Sequence, residues 1–126
     1  MTRASYFVVL CLGLTGCLNG GNQTCRSNGI VPATGVTGPK TVTVNQAAVY
    51  TIDYELAACG SFLGTAEQAT GNSRLIGVNV QFDGCNCPST VSQQTATYTF
   101  QPTQAGTYYL QFAATNGTIK DTLVVK

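Results

Sequence analysis

The chain has 126 residues, enough for one compact domain, and only 9% of them are charged against a usual ~25%. Its net charge is +1, so it lacks the basic surface that neutralises a run of phosphates, and nucleic acid is not an expected partner. Histidine is absent, which removes Ser-His and Cys-His nucleophile pairs and the commonest transition-metal ligand, so no catalytic residue, metal or cofactor is expected.

Residues 1–16 carry the parts of an export signal in order: a short leader with Arg3, an apolar run over 6–14, and small residues ahead of a cut. The run is too short to cross a bilayer. Leu14-Thr15-Gly16-Cys17 resembles the lipobox of bacterial lipoproteins, where a Leu, two small residues and a Cys let the thiol be alkylated before cleavage. The resemblance implies that 1–16 are a signal peptide and that Cys17 carries a diacylglyceryl group and an N-acyl chain. Several chains hold stably where one alone is marginal, so the membrane is the expected partner of this end. Leu18 follows in place of an acidic residue, which by that family's sorting habit implies the outer membrane, with the rest of the chain facing the periplasm or the surface.

Residues 18–38 have no sustained period and read as a flexible tether, with Cys25 as a staple, so lipidated Cys17 and its tether span 17–38. Folded structure is expected from Pro39, giving a domain over 39–126. From there apolar residues recur with a period of two: Val42 and Val44; Ala48, Tyr50, Ile52, Tyr54 and Leu56; Ile76, Val78, Val80 and Phe82. Ala96, Tyr98 and Phe100 continue the pattern, then Tyr108, Leu110, Phe112 and Ala114, then Ile119, Leu123 and Val125. Six to seven strands with one apolar face each predict an all-β, antiparallel β-sandwich closing on one core. Residues 57–73 are left as a long connection in which 65–70 have room for a single helical turn.

Asn116-Gly117 predicts a tight hairpin. Pairing Thr115 with Thr118 sets Ala114 opposite Ile119, Leu110 opposite Leu123 and Tyr108 opposite Val125, so the apolar rows of both strands agree. Asp121 then falls opposite Phe112 on the apolar row, where a charge needs either a partner or a bulge that turns it out, and the bulge is the expected answer.

Cys11 leaves with the signal and Cys17 is taken by lipid, which leaves Cys25, Cys59, Cys85 and Cys87. Four cysteines in an oxidising compartment predict two disulfides. Mutual pairing within Cys85-Asn86-Cys87 is the least comfortable of the three connectivities, so Cys59 is expected to bond to one of that pair and Cys25 to the other. A four-thiolate zinc site would want paired C-x2-C spacing, and a redox motif would want a helix N-terminus or a cation beside the thiol. Structural disulfides fit better.

Gln104-Ala105-Gly106-Thr107-Tyr108 resembles the tyrosine corner of immunoglobulin-like (Ig-like) domains, in which the phenol, here Tyr108, bonds back to nearby backbone. Gln104 stands where that motif usually has Asp, Leu110 stands in the place of a disulfide cysteine, and there is no Trp, so an antibody-type domain is not implied. Taken with Cys59-Gly60-Ser61-Phe62 and Gly84-Cys85-Asn86-Cys87, the chain resembles small Ig-like lipoproteins of Bacteroidetes-type bacteria. That resemblance implies a fold and an address, and no activity.

Two outward features bear on binding. Asp53 and Glu55 lie two apart on one strand face, the spacing of a paired acid and base, though two acids on the polar side of a strand usually form a solvated face. The outward rows of Thr51, Asp53 and Glu55, of Asn79 and Gln81, and of Thr95, Thr97 and Thr99 make a surface able to hydrogen-bond a protein or glycan partner. Thr107, Tyr109 and Gln111 add to it, with Tyr109 placed to contact a ligand such as a sugar ring. Irregular segments at 57–73 and 83–94 are the expected seats of any site.

Overall fold

The computed structural model describes residues 24–126. Residues 1–23, over which a signal peptide, a lipidated Cys17 and the first part of a tether are expected, lie outside the described residues.

Among the described residues every regular element is a strand: β1 (Arg26–Val31), β2 (Ala33–Thr37), β3 (Thr41–Val42), β4 (Ala48–Ala57), β5 (Gly60–Thr70), β6 (Ser73–Asp83), β7 (Val91–Phe100), β8 (Gly106–Ala114) and β9 (Gly117–Val125). The period of two explains the core directly, because alternate side chains in an extended chain leave on opposite faces. β4 buries Ala48, Tyr50, Ile52 and Tyr54 and exposes Val49 and Thr51 between them and Glu55 beyond them. β7 buries Ala96, Tyr98 and Phe100, and β8 buries Tyr108, Leu110 and Phe112.

The strands form two facing groups. In one, β4 carries β7 along one side and β2 along the other. In the second, β6 has β5 on one side and on the other β1 and then β8, after which come β9 and β3. Phe112 from the second group sits with its ring 5.6 Å from Tyr50 and 6.1 Å from Tyr98 of the first, and there the two groups meet. A single pair, Ala33 with Ala114, links the groups, so the all-β sandwich is one curled sheet of nine strands.

The structure corrects the sequence reading in five places. Residues 26–37 are not tether: β1 pairs with β6 from Arg26 opposite Asp83 to Val31 opposite Val78, and β2 pairs with β4. Their apolar period is missing because backbone pairing and the Cys25 staple, rather than an apolar row, hold β1, most of whose residues stay exposed. Second, the supposed connection after Ala57 is β5, paired with β6 along its length with no helical turn over 65–70. A register shift between Phe62 and Gly64 changes the phase of β5 midway, which erases a period of two from its sequence.

Third, the pairing is mixed and not wholly antiparallel: β6 with β8, β3 with β9, and β2 with β8 are parallel. The chain leaves β6, crosses to the other group as β7 and returns beside β6 as β8, and a crossover of that kind delivers neighbours pointing the same way. Fourth, the β8–β9 hairpin is two residues out of the expected register, with Tyr108 opposite Leu123 and Ala114 opposite Gly117. Asn116 supplies the left-handed residue of the turn, at φ 61°, so Thr115 and Asn116 form the loop and Gly117 already belongs to β9. A slip of two keeps every side chain on its face, which is why the apolar rows still agree.

Fifth, Asp121 is not turned out by a bulge. The β8–β9 ladder runs unbroken past it, with Asp121 opposite Leu110, and the carboxylate is buried on the apolar row. Its partner is the Lys40 ammonium, and the Thr122 amide donates to the same oxygen at 2.9 Å.

Candidate functional site

At one end of the domain the sequence brings all four remaining cysteines together as Cys25–Cys85 and Cys59–Cys87, with Cα separations of 4.9 and 5.6 Å. Each cysteine after Asp83 is thus bonded to a different strand end, as expected from their spacing. Backbone bonds reinforce both bridges: the Gly84 amide donates to Cys25 O at 2.8 Å and the Asp83 amide to Cys59 O at 3.0 Å. Gly84 has φ 133°, a conformation that disfavours side chains, and this lets the chain turn sharply out of β6 into the bridged loop. Arg26 donates Nε to Asp83 Oδ1 at 2.6 Å and Gln81 donates to the other carboxylate oxygen, and these bonds hold the Asp83 carboxyl below the usual carboxylate range. With all four thiols bonded in disulfides, the cluster has no free thiolate for nucleophilic or zinc chemistry. Among the described residues no group of three or more His, Cys, Asp or Glu is placed to hold a metal ion.

Of two ionic clusters in the structure, the sequence reading points to neither member of the first and, in the second, only to Asp121. Arg74 points inward at the start of β6, in phase with Ile76 and Val78, and its guanidinium lies 5.2 Å from the centre of the Phe100 ring and 5.8 Å from that of Tyr108. Glu67 of β5 approaches Arg74 Nε at 3.1 Å and accepts a bond from the Tyr98 hydroxyl at 2.8 Å. Arg74 Nε has the proximity of an ion pair without the alignment of a hydrogen bond, so its attraction to Glu67 is Coulombic, while the Nη1 end donates to Gly71 O and Ser73 O. Burial first, and then the bond to Glu67, push the Tyr98 hydroxyl far up. An Arg in phase with an apolar row was the signal available in the sequence.

The second cluster joins Asp121 and Lys40 to Tyr50, whose hydroxyl donates to Pro39 O at 2.9 Å. Burial, and secondarily the Asp121 charge, push the Tyr50 hydroxyl up from 10.0 to about 12. The folded chain therefore keeps a proton that the unfolded chain releases near pH 10. The contribution of Tyr50 is full below pH 10 and is lost as pH rises through 12, a change of roughly 2 kcal/mol. Denaturant titrations from pH 9 to 12 are expected to show this decline, made shallower in Tyr50→Phe, where the buried Tyr98 hydroxyl still contributes its own share; an equally steep decline in that variant would place the whole effect elsewhere.

The outward faces are where a partner has access. Tyr108 does what the tyrosine corner requires, its buried ring lying 5.0 Å from Phe100 and its hydroxyl donating to Gln104 O at 3.0 Å. Its neighbour Tyr109 stands half exposed on the opposite face, beside Ser73 of β6. Nearby, Ile30, Ala66, Leu75, Gly77 and Ala113 line an open apolar depression of about 200 Å³. Ile30 lies directly over Gly77, where a Cβ would come within 2.8 Å of it.

The polar face on the other group holds an open depression of about 360 Å³ lined by Thr34, Asp53, Gln93, Gln94 and Thr95. Thr95 pairs with Asp53, Thr97 with Thr51 and Thr99 with Val49, and Thr37 of β2 extends the row beyond Thr51. Asp53 and Glu55 do lie side by side, but Glu55 accepts a bond from Gln93 at 2.8 Å on an open surface, an arrangement suited to hydrogen bonding with a partner. Among the described residues β7, the strand beyond that face, pairs with β4 alone, so its far backbone edge is open there, a feature set by topology and absent from any local pattern. No protein-family description, curated protein or solved structure matches this chain.

Proposed function

We propose that the chain is a lipid-anchored protein of a bacterial outer membrane whose Ig-like domain is a noncatalytic interaction or structural module facing the periplasm or the surface. The Leu14-Thr15-Gly16-Cys17 sequence behind an apolar run carries this reading. The fold supports it by shortening the spacer. With β1 starting at Arg26 and Cys25 bridged to Cys85, only residues 18–24 separate the proposed lipid from the bridged domain. Seven residues reach at most about 25 Å at ~3.3 to 3.6 Å each, so the disulfide end is held nearest the bilayer. The two bridges then tie the point where the anchor would pull into the ends of β4 and β6, and not into an edge alone.

The tyrosine-corner bond of Tyr108 supports the Ig-like part of the reading, and the solvent-facing, threonine-rich surface of β4 and β7, with Asp53 and Glu55 on it, supports the interaction part. Expression of Cys17→Ala is expected to move the protein from the membrane fraction to the soluble fraction and to abolish incorporation of labelled palmitate. Retention of both label and membrane partition in that variant would overturn the anchor.

A further inference from the structure

An open strand edge is a row of unsatisfied amides and carbonyls, and folded proteins blunt such edges with charges, prolines, bulges or very short strands. The two open long edges on this side of the sandwich are treated differently. β5 is interrupted by the register shift at Phe62 and Gly64 and carries Glu67. β7 has none of these devices: Val91–Phe100 is ten residues long, contains no charge and no proline, and pairs with β4 without a register shift. The same side also bears exposed apolar groups, Phe62 and Leu63 on β5 and Val91 on β7. The Phe62 ring lies 6.3 Å from that of Tyr54, which pairs with Gln94 of β7, so this exposed apolar group sits across from the layer that β7 ends.

We propose that a second copy of this chain occupies the β7 edge, the two β7 strands pairing antiparallel about a two-fold axis near Ala96. The edge is self-complementary because it is uncharged. Centred on Ala96, Thr95 meets the partner's Thr97 and Gln93 meets the partner's Thr99 on the outward face, pairs that hydrogen-bond favourably and set no like charges together. An isologous contact of this kind closes on itself and joins β2, β4 and β7 of both copies into one six-stranded layer. It sets the two Cys25 ends at opposite ends of the joined strands, so two anchored copies on one bilayer would lie with their strands along its surface. The pairing itself does not depend on the anchor.

The test is sedimentation equilibrium of the full chain in a density-matched detergent, with hydrogen exchange read across β7. The parent chain is expected to be a dimer in which about half of the β7 amides exchange several-fold more slowly than on dilution to monomer, since an edge strand turns alternate residues outward. Thr95→Lys with Thr97→Lys changes two exposed side chains and sets like charges opposite each other. It is expected to weaken dimerisation about tenfold or more while leaving the circular dichroism unchanged. A parent chain that stays monomeric at its solubility limit, a lysine variant that dimerises as tightly as the parent, or a dimer with unprotected β7 amides would each overturn the proposal.

Discussion

Replacing both Cys25 and Cys85 with Ser is expected to destabilise the domain by about 4 kcal/mol, because the bridge closes a loop of 60 residues and its removal returns that loop entropy to the unfolded chain. Replacing Cys59 and Cys87 opens a loop of 28 residues and should cost about 3 to 4 kcal/mol, slightly less since the entropy grows only with the logarithm of length. The two losses differ more in place than in size. β1 is an edge strand with few buried side chains, and its Arg26–Asp83 ion pair is exposed and adds little. Without Cys25–Cys85, the amides of β1 are therefore expected to exchange far faster than those of β4, and the urea midpoint should fall. A variant with the parent's midpoint and a protected β1 would show that pairing with β6 suffices without the bridge.

Phe112→Ala is the second large effect expected. Its ring is buried where the two strand groups meet, tilted against Tyr50 and edge-on to Tyr98, so no single strand can shift to fill the space it leaves. Truncation of a buried Phe costs about 3 to 5 kcal/mol, which in a domain of this size lowers the melting temperature by roughly 15 °C or more. Tyr109→Ala removes a larger side chain only three residues away, yet that side chain is 52% exposed, and the loss should stay within about 0.5 kcal/mol. Thermal melts of the two variants side by side check the assignment of faces on β8. Similar losses from both would contradict it.

The strands that bury one full row were legible in the sequence. β4, β7 and β8 each show three or four buried residues at spacing two, and their core members are those the alternation picked out. β1 and β5 were not legible, for different reasons. β1 is held by backbone pairing and a disulfide, neither of which leaves an apolar period, and β5 changes phase at its bulge and directs Glu67 toward Arg74 and Tyr98. Asn116-Gly117 marks the hairpin but not its register, which lies two residues away because Asn116 takes the left-handed position itself and leaves Gly117 to open β9.

By itself the sequence determined the all-β class, the face on which each regular strand is buried, and the division of the cysteines into one bond apiece for Cys85 and Cys87. These depend on local alternation and on which close pairings are strained. Only the tertiary structure decided that Cys25 takes Cys85 and Cys59 takes Cys87, that Asp121 finds Lys40, and that β7 is left with an open edge. Each of these joins residues far apart in the chain, and such proximity is set by the order in which strands cross between the two groups, which no local period records.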